Sequence, residues 1–210
     1  MTTIALFGAT GRTGARVLAR AIDGGHQVRA LVRDPGNVAI RSAALTLIPG
    51  DVLDAAAVEE TVAGSDAVLS LFGHRKDSPK TLQTDGTRNI VDAMRRQGVS
   101  RIVSLSGGGL RAAEDQPTAA DTVIRFLLKR LSGHVLADAE RHLEVLQQSG
   151  LDWTVVRGPR LLDTPATGSY RVGWVGADSS TKISRDDLAD FLLSQVDDPS
   201  WSRRMPFVSA

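Results

Sequence analysis

The chain has 210 residues and a mass of 22.4 kDa, enough for one domain with a sizeable core and short of two full ones. Its 25 Lys and Arg against 24 Asp and Glu leave a formal charge of +1, so the balance gives no drive toward nucleic acid or an anionic membrane, and neither is expected as a partner. Zero cysteines exclude disulfides, thiolate nucleophiles and thiolate metal sites together; with no run near the roughly 18 apolar residues of a membrane span and no basic, export-type start, a cytoplasmic location is expected.

From the N-terminus, short apolar runs alternate with longer helical patterns. Residues 3–7 are apolar on nearly every position, as in a strand buried on both faces. Gly8, Gly11 and Gly14 follow at three-residue spacing and open a helical pattern over 12–23, with Thr10, Arg12 and Thr13 in the same loop. A strand, a glycine turn and a helix start carry a specific chemistry. Gly8 permits the tight turn, Gly11 lets a pyrophosphate approach the backbone, and Gly14 lets the helix pack on the sheet, while free N–H groups and the helix dipole face the anion. The pattern reads as a dinucleotide site.

The second run, 27–32, ends at Arg33, Asp34 and Pro35. An acidic side chain at this strand tip holds a ribose 2′-hydroxyl, and an arginine accepts a 2′-phosphate. Arg33, joined by Arg12 from the glycine loop, favours NADP(H); Asp34 either supports NAD or is the turn residue before Pro35. After the third run, 45–48, Asp51 and Val52 stand where adenine would lie, or simply end the strand. A helix is expected over 54–63. The fourth run, 67–72, brings Leu71, Phe72 and Gly73 toward the middle of the cofactor, and a helix over 82–97 stops at Gly98. The fifth run, 101–105, leads through Ser104 and Ser106 into three consecutive glycines and a loop. A long helical pattern over 119–148, with Ser132 and Gly133 as a break, stops before Gly150, and a sixth run covers 153–156.

This order gives right-handed crossovers and a single Rossmann-type, doubly wound parallel sheet in an α/β domain. Residues 158–210 are expected to form a small lobe on the substrate side. It would hold a short strand at 170–175, a helix from Ser184 to Val196 with Ser184 and Asp187 at capping-box spacing, and a closing strand at 206–209. A loop over 163–169 is expected to leave the sixth strand.

The runs from Gly8 to Gly14, Leu31 to Pro35, Gly50 to Leu53, Ser104 to Ser106 and Ser149 to Arg157 together resemble the atypical short-chain dehydrogenase/reductases. Within them the chain is most similar to the NAD(P)H-binding group that contains biliverdin-IXβ/flavin reductases and NmrA-like redox sensors. The resemblance implies that Ser106 faces the nicotinamide, that Ser104 and Pro159 lie beside the cofactor, and that hydride passes to a small flavin, quinone or similar conjugated acceptor. It also leaves a second function in view, a non-catalytic NADP(H)-binding sensor. The chain departs from the wider superfamily in lacking its Tyr-x-x-x-Lys pair, in which the lysine lowers the pKa of a proton-passing tyrosine. Its single tyrosine, Tyr170, has Trp174 four residues on. The histidines that biliverdin-type relatives carry are replaced by Ala139 and Arg160.

Four histidines, His26, His74, His134 and His142, are scattered without metal-ligand spacing and are expected on the surface or on helix faces. His74 alone follows a strand end, where it would line a substrate entrance. No Gly-x-Ser-x-Gly element or Ser/His/acid order supports a hydrolase.

Overall fold

Each apolar run becomes a strand in the computed structural model, which describes residues 1–176 and 179–210. The strands are β1 (Thr3–Phe7), β2 (Gln27–Val32), β3 (Leu45–Pro49), β4 (Ala67–Ser70), β5 (Arg101–Gly107) and β6 (Asp152–Gly158). They are linked by α1 (Arg12–Asp23), α2 (Ala55–Val62), α3 (Leu82–Gln97) and α4 (Ala119–Gln147). Then come β7 (Arg160–Leu162), β8 (Arg171–Gly173), β9 (Lys182–Ser184), α5 (Arg185–Ser194) and β10 (Phe207–Ser209).

The main sheet has the order β3-β2-β1-β4-β5-β6-β10-β8, parallel except for β8. The chain winds outward from β1 in one direction and from β4 in the other, so the carboxyl ends of these two central strands diverge at the switch point where such sheets bind ligands. Alternation along β1 sends Ile4 and Leu6 to one face, packed with Val17 and Leu18 of α1 and Leu188 and Leu192 of α5. Ala5 and Phe7 go to the other, with Val58 of α2, Ile90 and Met94 of α3, and Leu143 and Leu146 of α4. Both faces are covered, which is why the runs read as continuously apolar rather than alternating. No helix among the described residues is long and apolar enough to cross a membrane.

The expected helix stops and breaks are present. Gly98 closes α3 in the left-handed conformation, and α4 is interrupted at Ser132, whose φ of −141° and ψ of 39° are not helical. Ser184 caps α5, its hydroxyl accepting from the Asp187 N–H at 2.9 Å.

Three details differ from the sequence expectation. β4 ends at Ser70 rather than residue 72, because β1 turns away at Gly8 and leaves the backbone of Leu71 and Phe72 without a continuing strand on that side. The loop over 163–169 leaves β7, not β6, since β7 pairs in parallel with β9 in a two-stranded ribbon. The C-terminal segment is also shared out: β10 and β8 extend the main sheet, and α5 packs on α1.

Arg157 on β6 is fully buried, and four of its five N–H donors are directed to acceptors among the described residues. Nε donates to the Met205 carbonyl at 2.8 Å, Nη1 to the Leu110 carbonyl at 2.9 Å and to Asp115 at 2.7 Å, and Nη2 to the other Asp115 oxygen at 2.9 Å. Asp115 also accepts from the N–H groups of Ala112 and Val175. Burial pushes the Asp115 carboxyl up, but these hydrogen bonds and the guanidinium charge outweigh it and hold its pKa below the usual value. Replacing one member of such a pair strands the other, so Asp115→Asn is expected to cost about 3–5 kcal/mol in urea unfolding. A loss under about 1 kcal/mol, the scale of a surface pair, would show that the pair does not organise this loop.

Candidate active site

The glycine loop is built by close approach. Gly8 has φ of +91°, and a Cβ there would lie 2.7 Å from the backbone of Leu71 and Phe72; a Cβ on Gly14 would lie 2.1 Å from the Gly8 carbonyl oxygen. Only glycine fits either position. Gly11 is the N-cap of α1 and has no side chain to cap the helix, nor is there an acidic residue in its first turn. The first N–H groups of α1 therefore stay available to an anion, with the positive end of the helix dipole behind them. Thr10 is exposed at the loop and Thr13 is buried beneath it.

At the tip of β2, Arg33 is exposed and has no ion-pair partner among the described residues. Asp34 is committed elsewhere, one carboxylate oxygen accepting from the Gly36 N–H at 2.9 Å and the other from the Asn37 amide at 3.0 Å. This is the turn-capping alternative of the two the sequence left open. Arg12 is not brought to Arg33. It shares a face of α1 with Arg16 and Arg20, the face toward α5, and pairs there with Asp163 at 3.0 Å, while Arg16 and Arg20 meet Asp186. The reason is the four-residue spacing of the three arginines, which puts them on one side of the helix. Asp51 closes a turn by accepting from the Leu53 N–H at 3.0 Å, and Val52 is buried against the edge of α3, where a Cβ on Gly86 would come within 3 Å of both Val52 and Phe72.

Beyond the loop, a cavity of about 710 Å³ opens at the carboxyl edge of the sheet. Leu71, Phe72, Gly73 and His74 line it from the end of β4, and Ser106 with the three following glycines from β5. Gly158, Pro159 and Arg160 close it from β6, and α4 walls it with Ile124, Val135, Leu136 and Ala139. The Ser106 hydroxyl is buried and has no hydrogen-bond partner among the described residues. A buried hydroxyl is ordinarily satisfied, so this one leaves an open polar atom on the wall of a mainly apolar pocket. Tyr170 lies outside the cavity, packed edge-on to Phe191 on the opposite face of the sheet.

Ser104 does not reach the cavity lining. Two residues before Ser106 and on the same face of β5, it lies one layer deeper, and its hydroxyl is within 3.1 Å of His142 Nε2. Here the sequence reading is corrected at Ser104, which is a core hydrogen-bonding group; His142 lies on a helix face, one of the two places expected for it, and that face is buried. His142 Nδ1 is 2.7 Å from the Thr87 hydroxyl, so α3, α4 and β5 are tied through one imidazole. Burial pushes its pKa down to about 4 against the opposing charge of Asp138.

Asp138, one helical turn earlier, is also fully buried. It accepts from the N–H groups of Gln83 at 2.7 Å and Thr84 at 3.1 Å, and from the Thr84 hydroxyl, so α4 supplies the cap that α3 lacks at Thr81. Its remaining contact is His74 Nε2 at 2.8 Å. Burial raises the Asp138 carboxyl, but the bonds from Thr84, Gln83 and His74 more than offset it and keep the group ionised. Sequence reasoning missed Asp138. The signal was present, because residues 135, 139, 142 and 146 form one stripe of α4, with 138 beside it, and a polar residue on an apolar stripe requires a partner.

A glycine cradle on an uncapped helix, at the switch point of a parallel sheet, defines an NAD(P)-binding Rossmann protein. The chain belongs to the NAD(P)H-binding family, whose model matches residues 8–199. An uncharacterized chloroplastic protein of Arabidopsis thaliana is 29% identical, covering 90% of this chain and 70% of that one. The (4-alkanoyl-5-oxo-2,5-dihydrofuran-3-yl)methyl phosphate reductase of Streptomyces griseus is also 29% identical, over 92% of this chain and 58% of that one. In fold, the chain superposes with a TM-score of 0.81 on a short-chain dehydrogenase/reductase from Veillonella parvula in complex with NADP, at 18% identity and covering 100% of this chain and 94% of that one.

His142 makes a pH dependence predictable. Its folded pKa of about 4 lies below the ordinary 6.5, so between these values the unfolded chain binds a proton that the native state refuses. Stability is complete above pH 6.5 and falls as the pH drops toward 4, by about 3 kcal/mol in all. Urea unfolding at stepped pH is expected to show this slope in the wild type and its loss in His142→Gln. An equal slope in both proteins would assign the acid sensitivity to other groups.

Proposed function

We propose that the protein is an NADPH-dependent oxidoreductase that passes hydride to a flavin, quinone or similar flat conjugated acceptor, a small molecule lying in the cavity against the nicotinamide. One observation carries this reading: the unsatisfied Ser106 hydroxyl, buried in a largely apolar cavity that begins where the glycine cradle ends. A cofactor phosphate would rest on the N–H groups of Arg12, Thr13 and Gly14, and its nicotinamide half would run past Leu71, Phe72, Gly73 and Pro159 toward Ser106. When bound, the cofactor supplies the hydride. The chain's own contribution is to hold the acceptor at the reacting distance, exclude water with the apolar wall of α4, and orient one oxygen or nitrogen through Ser106. The Streptomyces relative is named a (4-alkanoyl-5-oxo-2,5-dihydrofuran-3-yl)methyl phosphate reductase, and an acyl- and oxo-substituted dihydrofuran is a conjugated ring, which supports a conjugated acceptor. The absence of cysteine fits work in the reducing cytoplasm.

Arg33 is the group proposed to select NADPH. It is exposed, unpaired among the described residues and free of competition from the engaged Asp34, so Arg33→Ala is expected to weaken NADPH on the order of tenfold, about 1.4 kcal/mol, and leave NADH unchanged in a fluorescence titration. Equal weakening of both cofactors would remove Arg33 from the 2′-phosphate.

Activity is tested by NADPH oxidation against a panel of flavins, quinones and enals. Turnover of one acceptor is expected, with Ser106→Ala lowering kcat by about tenfold to a hundredfold and sparing NADPH affinity, as for one positioning hydrogen bond. Tight NADPH binding without turnover of any acceptor would instead make the protein a cofactor-binding sensor.

A further inference from the structure

Hydride addition leaves an electron pair on the acceptor, and that pair needs a proton. The tyrosine and lysine that serve elsewhere in the superfamily are missing, and Ser106 alone is too weak an acid at neutral pH. The ionisable side chains that line the cavity among the described residues are His74, Arg111, Asp121, Arg125 and Arg160. Arginine does not give up its proton in proteins. Asp121 is fixed as an acceptor in the capping box of α4, at 2.8 Å from the Thr118 N–H and 2.7 Å from its hydroxyl. His74 remains, its imidazole being the one side chain of the set that can give up a proton from a ring nitrogen and take it back.

The geometry around His74 points the same way. The ring follows Gly73 at the carboxyl end of the strand beside β5, and its Nε2 is held by the buried Asp138 carboxylate, which is itself pinned by the first N–H groups of α3. An ionised carboxylate only accepts, so Nε2 carries a proton in both charge states. His134 meets the ring edge-on with centroids 5.9 Å apart, restraining its rotation. Nδ1 has no hydrogen-bond partner among the described residues and belongs to a ring that lines the cavity. We infer that His74, oriented by Asp138, is the general acid of the reduction proposed above, on which this inference rests.

The step balances as follows. A hydride carries two electrons from the dihydronicotinamide to the electrophilic atom of the acceptor, oxidising the cofactor and reducing the acceptor. The Nδ1–H bond of the imidazolium breaks, and the proton forms an O–H, N–H or C–H bond at the atom holding the displaced pair. The imidazole is left neutral with Nε2–H still on Asp138, and water at the cavity mouth returns the proton to Nδ1.

Two measurements test the assignment. Imidazole nitrogen NMR over a pH series on the cofactor-free protein is expected to show the neutral His74 ring as the Nε2–H tautomer, with Nδ1 the nitrogen that takes up the second proton. The groups facing the ring are Asp138 and His134 from α4, with uncharged Gln83 and Thr84 behind Asp138 on α3, so His134→Ala is expected to preserve that tautomer. In steady-state kinetics with the best acceptor of the panel, kcat is expected to fall as pH rises through the His74 midpoint found by NMR. His74→Asn should lower kcat by about a hundredfold to ten-thousandfold, remove that limb of the profile and leave the Kd for NADPH unchanged. Wild-type turnover in His74→Asn, or an Nδ1–H tautomer in the spectrum, overturns the assignment of His74 alone. A wild-type protein that reduces no acceptor overturns the proposed function and this inference with it, whatever the spectrum shows.

Discussion

The guanidinium of Arg157 has no water to turn to, and much of the structure around the cavity follows from meeting its demands. A buried arginine cannot shed its charge, so acceptors must be brought to it. The chain brings them from two segments: Leu110 and Asp115 in the loop after β5, and Met205 just before β10. Asp115 then takes the Val175 N–H, which fixes the segment after β8. The glycine-rich loop that carries the cavity roof is therefore clamped at its far end to β6, and Ser106 at its near end stands on a rigid strand. A loop containing three consecutive glycines would otherwise be among the most mobile parts of the molecule.

Asp138 has a matching function on the opposite wall. One carboxylate closes the N-terminus of α3, anchors α4 and fixes the ring of His74. Ordinarily a helix cap is local, supplied by the residue at the helix start. At α3 it comes from 55 residues away in the Gln83 contact, so docking α4 and finishing α3 are a single event. The site lies between these two anchors, with His142 adding a third tie from α4 to Ser104 on β5. Ordered walls with few free polar groups suit a site whose main task is to position a flat molecule.

The central fold was legible because both faces of the parallel sheet are buried, which forces apolar residues onto nearly every position of β1 to β6 and leaves glycine where helices stop. Gly8 and Gly14 were legible for a sharper reason, since no other residue fits the distances there. The short strands β7 and β9 escaped notice. Three residues carry no period, and what makes them strands is a partner some twenty positions away. Around the cavity, the residues from Leu71 to His74 were singled out by their position at a strand end, and Ser106 and Pro159 by the resemblance; all of them line it. Ser104 was misjudged because the sequence shows that a serine is present near a strand tip, not how deep along the strand the cavity floor lies. The pairing of the Arg12 side chain was not legible, because its partner, Asp163, lies 151 residues away in a loop whose path no local pattern announces. Asp138 and His142 were hidden among the charges of a long helix, where only their phase with the apolar stripe set them apart.

The position of β10 has a consequence for how the molecule is made. It is the last strand in sequence, yet it fills the slot between β6 and β8. During synthesis, β6 keeps an open edge of unpaired N–H and C=O groups until residues 207–209 emerge, and β8 waits without its antiparallel neighbour. Met205, an acceptor for Arg157, arrives only two residues before that strand. Until residues 205–209 are in place, the chain thus carries an unpaired edge at β6 and a guanidinium whose Nε lacks its acceptor. The cavity half of the sheet is completed only when β10 docks, and until then the open edge of β6 is the point at which aggregation or chaperone capture competes with folding.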